Sequence, residues 1–282
     1  SPACRARGRP PPTKMKGAAG GRPSARTGGQ PTAAADRQRP AAPRDSGPQA
    51  ANLAPSAHQY ACRCIQLNVR GMLASKSRAP APPPCLDLIR DLNSTGKNLA
   101  LLSETWGDPA APLPGWTCIS RPRPTDPKHG GVAILVRSDI AATEILTDRT
   151  ANGLATADLE FVVAELKLPR MSMPANVVSF YMPQGCTAAA LRAFELLTSA
   201  LATRRGFLLV AGDANTHHPC WDTRAPKSRL ADDFLSAADS AAMEVLNTGR
   251  PTLTRGTRQS APDVTFADVT SASDAMWNTT TL

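Results

Sequence analysis

The sequence predicts an α/β fold built on mixed rather than purely parallel sheets. Two observations lead there. Apolar runs of strand length are interspersed with segments of helical spacing. Several of those runs follow one another with no helix between them, whereas every parallel crossover needs about a dozen residues or more. A third observation bears on chemistry. Four apolar runs end in polar residues, and α/β folds keep their sites at strand ends.

Order is expected from about Tyr60. Cys62 to Asn68 reads as a strand that turns at Arg70-Gly71, and Pro80 to Pro84 as a Pro-rich loop. Leu86 to Leu92 has helical spacing, with Leu86, Ile89 and Leu92 on one face. Leu99 to Leu102 is a buried strand ending at Ser103-Glu104-Thr105-Trp106, and Val132 to Val136 a strand after Gly130-Gly131. Phe161 to Leu168 alternates, and Val177 to Tyr181 is a strand closed by Met182-Pro183. Thr187 to Thr203 is the clearest helix, with Leu191, Phe194, Leu197 and Leu201 at helical intervals. It leads through Arg204-Arg205-Gly206 into the strand at Phe207 to Ala211. Ser228 to Ala242 reads as a further helix and Val264 to Ala267 as a last short strand. No internal repeat is visible.

With 282 residues and 41% apolar content, the chain has room for one large domain or two small ones. Residues 1–58 hold 10 Pro and 7 Gly and show no apolar periodicity, so a disordered leader is expected there and a folded domain over 60–282. The net charge of +9 is uneven. Residues 1–60 carry 10 Lys/Arg against 2 Asp/Glu, and residues 61–282 carry 22 against 21. A polyanion site in the folded part therefore has to come from local clustering. The leader's Arg5, Arg7, Arg9, Lys14 and Lys16 suit nucleic-acid contact or nuclear import, although low-complexity sequence of no function fits them as well.

The seven cysteines are odd in number and irregular in spacing, with no Cys-x-x-Cys. Neither a disulfide framework nor a structural zinc site is expected, and a reducing, intracellular setting is. No apolar run reaches 18 residues, so no membrane span is expected, and no apolar stretch follows the basic N-terminus as a secretory signal requires. The first residue is Ser rather than Met; a piece of something longer is the expectation.

Chemistry concentrates at strand ends. Asn68 follows Ile65-Gln66-Leu67, Glu104 follows Leu99 to Ser103, Tyr181 follows Val177 to Phe180, and Asp213 and Asn215 follow Leu208-Leu209-Val210. On sheets that share a rim, these side chains converge on one crevice. Asp213 and Asn215 are two apart and face the same side of an extended segment. Taken alone, the pair also fits a strand end with an Asx turn. Tyr181 also fits a rim tyrosine bonded to backbone. Trp106 and Trp221 read as packing residues. Arg121, Arg123 and Lys128 lie in a Pro-punctuated loop that either touches a DNA backbone or stays solvated. The neighbours His217 and His218 point apart on an extended segment and lack a third ligand, so loop support or a DNA contact is expected rather than zinc.

The series Leu67-Asn68-Val69-Arg70-Gly71, Leu102-Ser103-Glu104-Thr105-Trp106, Gly130-Gly131-Val132-Ala133-Ile134, Tyr181-Met182-Pro183, Gly212-Asp213-Ala214-Asn215 and Pro262-Asp263-Val264-Thr265-Phe266 resembles the endonuclease/exonuclease/phosphatase superfamily. His217-His218-Pro219-x-Trp221 is similar to the continuation found in the apurinic-like endonuclease domain of non-LTR retrotransposons. The resemblance implies a four-layered α/β sandwich, two mixed β-sheets face to face with helices outside. It implies hydrolysis of phosphate esters with Mg²⁺ or Mn²⁺. Glu104 is then the metal carboxylate, with Asn68 supporting the metal and the adjacent phosphate. Asp213 positions or deprotonates the attacking water, Asn215 donates to the scissile phosphate, and Tyr181 contacts the phosphate or the leaving oxygen. Asp263 matches a late Asp that orients a catalytic histidine in a Ser-Asp-His motif.

Two departures stand out. No Ser-Asp-His follows Asp263, and Ser273-Asp274-Ala275 is only a near miss. The expectation is a truncation that removes the last strand and the catalytic histidine and severely impairs activity. Arg70 stands where repair-type members carry an acidic residue, which puts a second metal carboxylate in doubt. The implied partners are DNA and a downstream reverse transcriptase domain, in the nucleus. A phosphatase for a small phosphate ester and a non-enzymatic decayed remnant are the alternatives.

Overall fold

The computed structural model describes residues 62–71, 84–107, 112–123, 126, 129–146, 157–169, 171–255, 257–272 and 276–279. The leader, most of the Pro80–Pro84 loop, Lys128 and Ser273-Asp274-Ala275 lie outside the described residues. The first sheet has the order β1-β2-β4-β3, from Cys64–Asn68 (β1), Leu99–Ser103 (β2), Val132–Arg137 (β4) and Trp116–Arg121 (β3). Strand β1 runs parallel to β2, and the other two pairings are antiparallel. The second sheet has the order β5-β6-β7-β8-β12-β9. Its strands are Ala141–Ile145 (β5), Glu160–Lys167 (β6), Ala175–Tyr181 (β7), Phe207–Asp213 (β8), Asp263–Asp268 (β12) and Met243–Val245 (β9). Only β7 and β8 are parallel there. A short hairpin joins Leu253–Arg255 (β10) to Arg258–Ser260 (β11).

Both sheets are mixed, as the adjoining strands required, and the layers number four. The alternation along β2 shows why. Leu99 and Leu101 meet Val162, Ala164 and Val177 of the facing sheet, whereas Ala100 and Leu102 turn outward to Leu88, Ile89 and Leu92 of helix α1 (Pro84–Ser94). A strand covered on both faces reads as an unbroken apolar run, and every residue of β2 is buried. The outer face of the second sheet is covered by α2 (Ala188–Ala202) and α3 (Ala231–Ser240). Phe180, Phe194, Phe234, Phe266 and Trp221 gather there, with ring centroids 4.6 to 6.4 Å apart and mostly edge-on. A chain with only 4% aromatic residues thus spends five of them on one helix–sheet seam.

Helix ends follow local chemistry. Pro84, expected in a loop, opens α1, where its missing N–H costs nothing. The Thr187 hydroxyl caps α2 by accepting from the Ala190 amide at 3.0 Å. Helix α3 is shorter than the spacing from Ser228 to Ala242 suggested. Ser228 is occupied at the front, where its hydroxyl accepts from the His217 amide, and Ala242 leaves helical geometry at φ 56°. The sequence reading omitted β3, β5, β9, β10 and β11, which are short or partly exposed and carry weak apolar patterns.

Candidate functional site

Strand register builds the site. Across the second sheet, Glu160 stands opposite Tyr181, Tyr181 opposite Asp213, and Asp213 opposite Asp263. Register partners share a face, and Tyr181 packs in the core between the sheets, so this row looks toward the first sheet. From that sheet, Asn68 ends β1 opposite Ser103, and Glu104 follows directly after β2. Tyr181 and Asp213 end their strands, Glu160 begins β6, which runs antiparallel to β7, and Asp263 likewise begins its strand. It reaches the same row because β12 runs antiparallel to β8.

Asn68 ties the two sheets together. Its Nδ2 donates to Glu104 Oε1 at 2.8 Å and to Asp213 Oδ2 at 2.7 Å. The Tyr181 hydroxyl donates to the same Glu104 oxygen at 3.2 Å, not to backbone. Glu104 sits at φ 54°, a left-handed conformation unusual for a residue with a side chain. Such strain recurs at sites where the surrounding structure fixes it. Asp213 Oδ1 also accepts from the Asn215 amide at 3.0 Å, so the Asx turn exists and the carboxylate remains engaged with Asn68. Asn215, at φ 44° and exposed, donates its side chain to the Met182 carbonyl at 3.1 Å.

Burial and mutual repulsion set the electrostatics. Burial pushes the Asp213 carboxyl above its usual range, with Glu104 adding to the rise and Asn68 and Asn215 opposing it. Burial, with the Asp213 carboxylate adding to it, pushes Asp263 up to about 7. Burial and the nearby Glu104 carboxylate hold the Tyr181 phenol well above its ordinary value, so it remains a donor. Gln66, which the sequence reading passed over, orders Asp263. Its Nε2 donates to Asp263 Oδ1 at 3.1 Å, and its Oε1 accepts from the Thr265 hydroxyl at 3.1 Å. The available signal was its spacing, two residues before Asn68 and so on the same face of β1.

A divalent cation fits these residues. The donors are all oxygen: the Glu104 carboxylate, the Asn68 amide and the carboxylate of Asp213. Asn68 Oδ1 is buried with no partner in the protein, beside two carboxylates. An amide oxygen left bare in that place is suited to a hard cation. Among the described residues no group of three or more His, Cys, Asp or Glu could hold a metal. One carboxylate and an amide oxygen with water and phosphate is the donor set Mg²⁺ accepts, and zinc's is different.

The remaining candidates fall outside this cluster of bonds. His217 Nδ1 lies 2.8 Å from Oδ2 of the fully buried Asp222, and His218 Nε2 lies 3.0 Å from Asp232 Oδ1. Asp222 also accepts from the amides of Ala261 and Arg224, pinning this loop to the segment that leads into Asp263. Trp221 is fully buried and donates to the Thr216 carbonyl. Trp106 covers the Arg70-Gly71 turn so closely that a Cβ at Gly71 would enter its ring. Arg121 pairs with Glu144, and Arg123 pairs with Glu160.

A four-layered sandwich with a buried and a half-buried carboxylate bridged across its two sheets defines a class of hydrolytic site. The model of the endonuclease/exonuclease/phosphatase family matches residues 65–269, and the chain belongs to that family. Its members are hydrolases of phosphodiester bonds and generally use divalent metals. Among solved structures, the endonuclease domain of TRAS1, a telomere-specific non-LTR retrotransposon, is 21% identical with a TM-score of 0.54, covering 74% of this chain and 85% of that one. The catalytic domain of Xenopus laevis APE2 is 15% identical with a TM-score of 0.51, covering 74% and 83%. Both show the shared fold. The comparison with curated proteins gives no match.

Proposed function

We propose that this chain is a divalent-metal-dependent endonuclease of a retroelement, which nicks DNA to leave a 3′ hydroxyl that primes a reverse transcriptase in the nucleus. The observation that carries the reading is the double donation of Asn68 Nδ2 to Glu104 and Asp213. It brings two carboxylates 109 positions apart in sequence to within reach of one hydrated cation. The resemblance of His217-His218-Pro219-x-Trp221 to retroelement enzymes supports the branch.

Glu104 and Asn68 would hold Mg²⁺ or Mn²⁺, which supplies charge to the phosphorane-like transition state and the leaving oxygen. Asp213, raised by burial yet still an acceptor, orients the attacking water and takes its proton. Asn68 keeps that carboxylate aimed. Tyr181, held as a neutral phenol, donates at the Glu104 side of the phosphate. Asn215 lies at the open rim, where the scissile phosphate enters. Asp263 is the partner for a histidine, and among the described residues no histidine bonds to this cluster. A histidine placed against Asp263 is expected to contribute about 10²- to 10⁴-fold to the rate.

Supercoiled plasmid with Mg²⁺ tests the proposal on these residues and on a chain extended through a Ser-Asp-His motif. The extended chain is expected to convert it to open circles, and Glu104→Ala to stop the reaction. Nicking that survives Glu104→Ala, or none by the extended chain, overturns it. Phosphate release from a small ester without nicking would instead identify a phosphatase, and neither activity a non-enzymatic remnant.

A further inference from the structure

We propose that Glu160 and Arg123 form a phosphate clamp over Tyr181, in which the guanidinium of Arg123 takes a backbone phosphate of the substrate at the rim of the carboxylate site. The proposal rests on the phosphodiesterase reading above and names the group that its rim holds.

Two arginines leave β3 two residues apart and meet different fates. Arg121 Nε donates to Glu144 Oε1 at 2.8 Å and its Nη2 to the Leu146 carbonyl at 3.4 Å, both at the outer edge strand. Arg123 is turned toward the site. Its Nε donates to Glu160 Oε1 at 2.5 Å, and the other oxygen of Glu160 accepts from the Gly131 amide at 2.5 Å. Glu160 is thereby fixed from two sides, and its register opposite Tyr181 places it in the same row as Asp213 and Asp263.

The guanidinium is seated as well as paired. Its carbon lies 5.9 Å from the centroid of the Tyr181 ring, whose hydroxyl bonds Glu104. It lies against Gly130, where a Cβ would come within 2.5 to 2.6 Å of Nη2, Cζ and Nε. Glycine at φ +70° therefore both makes the turn and clears space for the cation. Pro122 stiffens the approach by fixing its own φ. Nη2 is buried with no partner in the protein, whereas the side chain as a whole stays 21% exposed.

A guanidinium with one edge committed and another unspent is pre-organised for a second anion, and phosphate oxygens match its fork. The anions around it are Glu160, which it pairs, and Glu104 beyond the Tyr181 ring. Without a cation on this side, a phosphate approaching the carboxylates meets only repulsion there. An ion pair that merely stapled β3 to β6 would need neither the glycine seat nor the ring.

Equilibrium binding of a 20-base-pair duplex in EDTA tests the clamp, with cleavage silent, for the wild-type chain and Arg123→Gln. The variant is expected to bind about tenfold more weakly and to lower the slope of log affinity against log salt by about 0.9. Single methylphosphonates stepped along the duplex should locate one position that weakens the wild type and leaves Arg123→Gln unaffected. An unchanged slope and an unchanged methylphosphonate profile overturn the clamp. Should Arg123→Gln fail to fold, Arg123→Lys keeps the charge without the fork, and binding equal to wild type overturns it too. If the wild type does not bind DNA, the endonuclease reading fails separately. Inorganic phosphate then decides: a rise in melting temperature for the wild type and not for the variant upholds the clamp, and equal responses sink it.

Discussion

Asn68 carries more of the site than any other single residue. Its one NH₂ group separates two carboxylates that would otherwise repel across the gap between the sheets. Asn68→Asp replaces that donor with a third negative charge. It is expected to lower nicking by about 10²-fold or more and to destabilise the metal-free fold by roughly 1–3 kcal/mol. Activity and chemical denaturation of the same preparation check both. Asp263 offers a pH test. Its folded value of about 7 lies above the ordinary 3.8, so the folded state binds the proton more tightly than the unfolded chain does. That contribution is full below about pH 4 and is lost as pH rises through 7. The melting temperature of the metal-free protein is therefore expected to fall between pH 5 and pH 8. Asp213, raised by the same burial, acts in the same direction. Asp263→Asn keeps an acceptor for Gln66 and should flatten this slope; an unchanged slope would place the proton elsewhere.

Among the elements, the parallel contact of β7 and β8 sets the chemistry. It brings Tyr181 level with Asp213, and Gly212 makes the approach possible. A Cβ at Gly212 would run into the Phe180 carbonyl, which is backbone and cannot swing aside. Gly212→Ala is therefore expected to cost about 2 kcal/mol or more and to depress activity through a shift of Asp213. A crystal structure or denaturant series of the variant reads both effects. The glycine before the Asp-x-Asn was plain in the sequence, but its reason was not. That reason is a neighbouring strand 32 residues earlier. The loop after β8 shows the converse. His217 and His218 attracted attention as a pair, and in the fold each is bonded to its own aspartate, one of them the buried Asp222.

On the scale of the whole molecule, the site exists only where two sheets meet. The Ser179 hydroxyl donates to the Leu102 carbonyl across the gap, and Gln66 spans it to Asp263. A cation bound at Glu104 and Asn68 would relieve repulsion that both sheets share. Mg²⁺ is expected to raise the global melting temperature, by about 1.4 kcal/mol of stability at ten times its dissociation constant. The effect should vanish in Glu104→Gln. Calorimetry with and without EDTA would show it, and equal melting of both proteins in Mg²⁺ would remove Glu104 from the metal site. No helix among the described residues is long and apolar enough to cross a membrane.

Read alone, the chain determined the well-buried strands and the main helices, because burial on one or two faces leaves a period in the apolar residues; β3, β5, β9, β10 and β11 lack that period. It also determined that Asn68, Glu104, Tyr181 and Asp213 belong at strand ends, since each closes such a run. The two-sheet arrangement was legible through the series of short motifs. Only the tertiary structure decided which oxygens touch, that Gln66 orders Asp263, and that Glu160 and Arg123 stand beside Tyr181. Those facts follow from register and from the direction of β12 against β8. Register is fixed by pairings between residues far apart in the chain, and no local pattern encodes them.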